Sequence, residues 1–221
     1  MQNISTEDYV KAIYKLERKG EKVTTSALAL QLQLADASIT DMLKKLSEKG
    51  LVHYARYRGA GLTATGRRAA LKIVRRHRLW EMYLSRFLGF SWDKVHDEAE
   101  RLEHVTSEDL ERRLDEALGF PRSDPHGDPI PDAQGLIGAL EATSLATCAP
   151  GDVVKVQRVS DADPHLLQHA TKLGITLERK LAVKEKRNFD GSMVIRVGVK
   201  SEFISDQMAR AIFVQKQGEH E

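Results

Sequence analysis

Residues 96–105, HDEAERLEHV, place two histidines and four acids in ten positions. On an α-helix successive residues turn by about 100°. His96, Glu100, Glu103 and His104, at i, i+4, i+7 and i+8, then fall within an arc of roughly 100° on one face. Carboxylates and imidazoles grouped in this way are donors for a divalent first-row ion such as Mn²⁺, Fe²⁺, Co²⁺ or Zn²⁺. A bound dication would also relieve the repulsion between Glu100 and Glu103, like charges that otherwise destabilise a helix modestly. A solvated acidic helix with surface histidines meets the same spacing, and spacing alone does not divide the two. Other titratable groups recur nearby. His77 and Glu81 form an i,i+4 pair, which an ordinary surface contact explains by itself. Asp124, His126 and Asp128 stand in the Pro/Gly-rich stretch PRSDPHGDPIPD. Asp8 follows Ser5 in the pattern of a capping box, and an acid in a first helical turn suits the helix dipole.

The charge of the chain is divided unevenly along its 221 residues. Residues 1–76 hold 15 Lys+Arg against 7 Asp+Glu, a net of +8, whereas residues 91–132 hold 5 against 13, a net of −8. A basic first block points to a polyanion and an acidic middle to cations, although ordinary solvated surface has the same look. No apolar run approaches the roughly 18 residues of a membrane span, and MQNISTEDYV lacks the basic-then-apolar order of a signal peptide. The single cysteine, Cys148, forms no internal disulfide. These features lead to the expectation of a cytoplasmic protein with no membrane partner.

The elements that must position these residues follow from periodicity. STEDYVKAIYKLERKG reads as a helix with Ser5 as N-cap, an apolar stripe of Tyr9, Ile13 and Leu16, and Gly20 as its stop. TTSALALQLQL is a shorter helix capped near Thr24 or Thr25. ADASITDMLKKLSEKG is a third, with Ile39, Leu43 and Leu46 inward and Gly50 at its end. LVHYARYRGAGLTATG then offers two short strands about a turn at Arg58–Gly61. Three helices followed by a hairpin is the order of a winged helix-turn-helix. In that arrangement the start of the third helix enters the major groove. Ala37, Ser38, Thr40, Asp41, Lys44 and Lys45 become candidates for groove or phosphate contact, with Arg56 and Arg58 on the wing.

RRAALKIVRRHRLWEMYLSRFLGF reads as one long helix. Ala69, Ile73, Leu79, Trp80, Tyr83, Leu84 and Phe87 give it more apolar surface than one face needs, which points to a homodimer. Two further helical segments follow, SWDKVHDEAERLEHV and TSEDLERRLDEALGF. From about residue 139 the pattern alternates. A Pro-Gly turn precedes Val153, Lys155, Val156 and Arg158, HLLQHATKLGI is a short helix, and Asp190-Gly191 marks a hairpin. The expected fold is therefore α+β, with a winged helix-turn-helix at 1–72, a helical segment at 73–138 and a small β-barrel at 139–221.

RHRLWE, KVHDEAERLEHV with the following ERRLDEALG, and PHGDPIP, in this order, resemble the diphtheria-toxin-repressor family of metal-dependent transcription regulators. The family's branches include iron sensors and manganese sensors. The resemblance spans nearly the whole chain, and the last third is similar to the SH3-like domain of its longer members, related to FeoA. It implies a helical metal-binding and dimerisation domain at 73–138. It also implies a primary metal site of Asp8, Glu100, Glu103 and His104. For a second site it offers two sets: His77, Glu81 and His96 with Asp163, as in iron-type members, whose neighbours here are Asp161 and His165; or the Pro-rich turn with Asp124 and His126, as in some manganese-type members.

Iron-type members place methionine and cysteine where this chain has Asp8 and Glu100. Two hard oxygens there favour Mn²⁺ over Fe²⁺, with Co²⁺, Zn²⁺ or Cd²⁺ as substitutes in vitro. Short manganese members that hold two adjacent ions carry a second acid at the position of Lys11, and a lysine there repels a second cation. The implied function is a Mn²⁺-responsive repressor of metal-uptake genes, a homodimer on double-stranded operator DNA. An Fe²⁺-responsive repressor is the alternative. A metalloenzyme using the same donors to activate water would need an additional acid–base pair, which the sequence does not offer, and would leave the basic helix-turn-helix without a role. A DNA-binding dimer indifferent to metal is separated by metal titration.

Overall fold

The computed structural model describes residues 6–217, so Ser5 lies outside the described residues. Packing divides the chain into two compact units. The first comprises the chain up to His77 with Arg101–Glu111 and Pro131–Ile137; the second comprises Arg78–Glu100, Arg112–Ile130 and the chain from Gly138.

The first unit begins with α1 (Thr6–Arg18), α2 (Thr25–Leu32) and α3 (Asp36–Glu48). Thr24 caps α2, its hydroxyl accepting from the Ala27 N–H at 3.1 Å. The expected stripes all face inward: Tyr9, Ile13 and Leu16 meet Leu28, Ile39, Leu43, Leu46 and Val52 in one core. At about 25 cal/mol per Å² of apolar surface withdrawn from water, such side chains contribute roughly 1.5–3 kcal/mol each before ordering entropy is set against them. A second face of α1, Val10 and Tyr14, packs on Ala70, Leu71 and Val74 of α4 (Ala64–Leu88). α1 is thus wedged on two sides, and its polar edge is held in place.

The wing is an antiparallel hairpin of β1 (Val52–Ala55) and β2 (Gly59–Leu62), with Ala55 opposite Gly59. Its loop is Arg56–Tyr57–Arg58 and not the expected Arg58–Gly61. Tyr57 takes the positive φ (68°) of the turn. Gly59 serves a different purpose, since a Cβ there would lie 2.6 Å from the Val23 carbonyl oxygen, which accepts the Ala60 N–H at 2.9 Å.

In the second unit the latter part of α4 packs Leu79 against Leu114 and Leu118 of α6 (Glu108–Leu118) and against Ile130. Phe87, Leu88 and Phe90 at the end of α4 remain exposed. α5 (Val95–Leu102) precedes a short 3₁₀ turn, Glu103–Val105. The last third is an antiparallel six-stranded sheet in the order β3-β8-β4-β5-β6-β7, built from β3 (Thr143–Ser144), β4 (Val153–Val159), β5 (Lys180–Lys186), β6 (Met193–Val197), β7 (Lys200–Ile204) and β8 (Ile212–Lys216). Bulges interrupt β4 between Val156 and Arg158 and β5 between Val183 and Glu185, bending the sheet. α7 (Pro164–Lys172) and α8 (Asp206–Ala211) add Leu167, Ala170, Met208 and Ala209 to its core. This is the small β body expected from the alternating pattern, and the SH3-like domain that the family resemblance implies. No described helix is long and apolar enough to cross a membrane.

Candidate metal centres and DNA-reading face

The single helical face expected for His96, Glu100, Glu103 and His104 is broken. The α-helix ends at Leu102, whose carbonyl accepts the Thr106 hydroxyl at 2.7 Å, and Glu103 and His104 enter the 3₁₀ turn. With 3.0 residues per turn in place of 3.6, that segment leaves the stripe. Glu100 keeps a half-exposed side chain on α5, its carboxylate 4.0 Å from His96 Nε2, whereas Glu103 is fully buried. The repulsion between the two acids is answered on the Glu103 side. Both its oxygens accept from Lys11 Nζ, at 2.8 and 2.7 Å, and Oε2 lies 2.5 Å from His77 Nδ1. Lys11 also approaches His77 Nδ1 at 3.2 Å. A buried ammonium is tolerable only because a buried carboxylate embraces it.

Around this pair the first unit assembles a three-donor cluster. His104 Nε2 lies 2.9 Å from Asp8 Oδ1 and 3.4 Å from Glu103 Oε1, and Asp8, Glu103 and His104 offer ligand atoms all within 4.8 Å of one another. On the other edge of the ring, Nδ1 stands 2.8 Å from Glu7 Oε2. Burial opposes a charge on His104, but the Glu7 hydrogen bond and the charges of Asp8 and Glu103 outweigh it and raise the imidazole above its usual range. Two carboxylates and an imidazole at this spacing fit a hard or borderline dication. Neither Glu7 nor the pairing of Lys11 with Glu103 was anticipated. The signal for Glu7 is its place beside Asp8 in the first turn of α1.

The second unit holds a drier cluster. Glu81 on α4, Asp124 and His126 are all buried and offer donors within 4.8 Å; Glu81, His96 and Asp161 form another such group. His126 Nε2 lies 2.7 Å from the Trp92 carbonyl oxygen. A carbonyl only accepts, so Nε2 carries the proton. Nδ1 faces Glu81 and Asp124 at 3.9 and 3.8 Å and has no hydrogen-bond partner among the described residues. An orphaned buried nitrogen aimed between two carboxylates fits a metal ligand. Burial above all, with the neighbouring Glu81 and Asp128 carboxylates, holds Asp124 well above the usual carboxylate range. Burial resists charge on His126, yet Glu81 and Asp124 raise it.

The Pro-rich turn is fixed by its own backbone. Asp124 Oδ1 accepts from the His126 and Asp128 amides at 2.8 and 3.0 Å. Gly127 (φ 89°) lies so close to β4 that a Cβ would meet the Gln157 carbonyl oxygen at 2.0 Å. Asp128 is clamped by Arg78 at 3.3 Å and Arg158 at 2.8 Å. Neither set the sequence offered for a second site stands as given: Asp124 and His126 of the one are joined by Glu81 of the other. His77 belongs to the first unit, against Glu103. Asp163 caps α7, accepting the His165 N–H at 2.9 Å; Asp161 is the acid that stands near Glu81 and His96.

On α3, Ala37, Ser38, Asp41, Lys44 and Lys45 are exposed, while Thr40 is half-buried with its hydroxyl turned to the Asp36 carbonyl at 3.0 Å. Asp41 and Lys44 pair at 3.2 Å. Arg56, Tyr57 and Arg58 form the exposed wing tip, with the Arg56 guanidinium 5.0 Å from the Tyr57 ring centroid.

A winged helix-turn-helix whose first helix contributes to a carboxylate–imidazole cluster defines a metal-responsive DNA-binding regulator. The family models agree along the chain: the iron-dependent repressor N-terminal DNA-binding domain matches residues 3–60, its metal-binding and dimerisation domain 63–132, and the FeoA domain 143–216. The chain is 30% identical over 223 residues to the diphtheria toxin repressor of Corynebacterium glutamicum, covering 96% of each. It is 32% identical to the iron-dependent repressor IdeR of Mycobacterium tuberculosis, covering 96% of this chain and 97% of that protein. A solved manganese-dependent transcriptional repressor in complex with manganese shares 40% identity and a TM-score of 0.91, over 96% of this chain and 100% of that one. The manganese regulator SloR shares 30% identity and a TM-score of 0.78, over 96% and 98%. The chain belongs to the diphtheria toxin repressor family of metal-dependent transcriptional repressors.

Proposed function

We propose that the chain is a cytoplasmic, Mn²⁺-responsive repressor of metal-uptake genes, acting as a homodimer on double-stranded operator DNA. The observation that carries this reading is the sulfur-free donor set Asp8, Glu103 and His104, which joins the first helix of the unit that bears the wing to the turn after α5. Hard oxygens and one imidazole favour Mn²⁺ over softer competitors. Formal charge supports one ion at this centre. Glu7, Asp8 and Glu103 carry three negative charges and Lys11 one positive, leaving −2, which a single dication neutralises. Glu81, Asp124 and His126 are the second metal site of this reading, with Asp161 beside it.

The ion, when bound, supplies positive charge and directional coordination between groups that otherwise repel. Asp8 belongs to α1; Glu103 and His104 belong to the turn after α5. Donors drawn from both segments bind best in one arrangement of those segments, so occupancy shifts the population toward it. The exposed Phe87, Leu88 and Phe90 supply apolar surface for dimerisation. A dimer presents two copies of α3, with Ala37, Ser38, Asp41, Lys44 and Lys45 toward the groove and Arg56 and Arg58 toward the backbone.

The test is binding to its own promoter region in chelator, Mn²⁺, anaerobic Fe²⁺ and Zn²⁺, with light scattering in parallel. Binding is expected only with metal, with Mn²⁺ effective at the lowest concentration, from a dimer, and weakening steeply with salt as phosphate contacts release counterions. Equal affinity in chelator and Mn²⁺ overturns the metal response. Activation by Fe²⁺ in preference to Mn²⁺ replaces the manganese sensor with an iron sensor.

A further inference from the structure

We propose that Glu7 is a positioning residue for the metal: its carboxylate holds the Nδ1–H of His104 and so presents Nε2, as a lone pair, to the ion. The proposal rests on Asp8, Glu103 and His104 being ligands. A neutral imidazole has one donor nitrogen and one acceptor, and which is which is set by what each nitrogen meets. The His104 ring lies between consecutive residues of α1. Nδ1 is 2.8 Å from Glu7 Oε2, and Nε2 is 2.9 Å from Asp8 Oδ1 and 3.4 Å from Glu103 Oε1. Consecutive helical residues diverge by about 100°, so the first turn of α1 sends one carboxylate to each edge of the ring. Nε2 shares its surroundings with the two acids that complete the donor group; Nδ1 is turned to Glu7, which is not a member of that group. An ionised carboxylate has no proton to give. Each bridge is therefore made by an N–H of the ring, Nδ1–H to Glu7 and Nε2–H to Asp8; an ion seated among Asp8, Glu103 and His104 would take the place of the Nε2 proton, while Nδ1–H stays on Glu7 and leaves the lone pair on Nε2.

The second cluster uses the same device through the opposite nitrogen. His126 gives Nε2–H to the Trp92 carbonyl and turns Nδ1 to Glu81 and Asp124. The difference is the charge of the partner. A carboxylate makes the ring a stronger base than a carbonyl does, and outer partners of this kind are worth about 10–100-fold in metal affinity. Glu7 has a side chain 41% exposed to solvent, so its removal leaves no buried void.

The experiment uses the full-length protein and Mn²⁺, with Glu7→Ala, Glu7→Gln and, to mark which calorimetric step belongs to this centre, Asp8→Asn. The Asp8→Asn isotherm identifies the step; Glu7→Ala is expected to weaken it by about 10–100-fold. Glu7→Gln keeps an acceptor for Nδ1–H and is expected to retain most of the affinity. In the Cd²⁺-loaded protein the His104 Nδ1 proton is expected to be slow to exchange in wild type and Glu7→Gln, and lost to exchange in Glu7→Ala. Melting in chelator is expected to match wild type for both. Wild-type protein that binds no Mn²⁺ at this step overturns the ligand assignment itself. Wild-type protein that binds, with unchanged affinity in Glu7→Ala, overturns the role of Glu7 alone. Glu7→Gln weakened as severely as Asp8→Asn makes Glu7 a direct ligand and overturns it as well.

Discussion

The two clusters meet the same problem, negative charge gathered in a protein interior, with different geometry. Around Glu103 the chain supplies its own cation: Lys11 occupies both carboxylate oxygens and His77 stands against one of them. Around Asp124 the cation is the Arg78 guanidinium, 3.4 Å from the carboxylate and shared with Asp128. The acid is also caged by amides, and His126 Nδ1 has no hydrogen-bond partner among the described residues. The first centre is thus built around a buried ion pair, with Asp8 and His104 at its edge. The second is a buried cage whose imidazole turns Nδ1 between two carboxylates. The contrast teaches that a metal adds different things to each. At the first it adds a link between α1 and the turn; at the second it satisfies a group that folding leaves unsatisfied.

The hardest way to break the contrast is Glu103→Ala. It strands the Lys11 ammonium in the interior, and breaking a buried pair from one side costs about 3–5 kcal/mol. Urea unfolding in chelator is expected to show that loss, whereas Asp8→Asn under the same conditions is expected to show little. Next is Gly127→Ala, which combines a positive φ with a 2.0 Å approach to the Gln157 carbonyl. Strain of this kind costs about 1–3 kcal/mol, and calorimetry is expected to lose the second metal step while keeping the first. Asp8→Asn removes a charged donor and leaves the helix intact. The Mn²⁺ concentration for half-maximal operator binding is expected to rise at least about tenfold, or roughly 1.4 kcal/mol. The smallest effect belongs to a position remote from both centres. Thr24→Ala removes the cap of α2 for about 1 kcal/mol, and the melting temperature is expected to fall with the metal dependence of DNA binding unchanged.

Much of the scaffold was legible because it depends on period and on single residues with one physical use. Tyr9, Ile13 and Leu16, then Ile39, Leu43 and Leu46, are buried as their spacing requires. Thr24 caps α2, and the alternating last third forms the sheet. The errors came from features that local pattern does not encode. The glycines of the wing looked like its turn, but Gly59 is there because the Val23 carbonyl passes beside it. The acidic pattern reads as one helix through His104, because a side chain that ties back to a carbonyl, as Thr106 does to Leu102, leaves no periodic trace. Lys11 was visible as an odd residue in the first helix, but that its partner is Glu103, 92 residues on, is a tertiary fact. Glu7 was overshadowed by Asp8, since a helix wheel separates the two by about 100° and only the ring between them joins their roles.

The enclosure of Lys11 has a chemical corollary. An amine reacts with an acylating reagent through a lone pair that solvent can reach. The Lys11 side chain is 4% exposed and its ammonium is held by both oxygens of one carboxylate, whereas Lys44 and Lys49 project from α3 and its end into water. In a footprinting experiment on folded protein, Lys44 and Lys49 are modified first and Lys11 is spared. Its label appears only as α1 comes away from the turn at Glu103, so the mass of the peptide spanning residue 11 becomes a gauge of how often that junction opens.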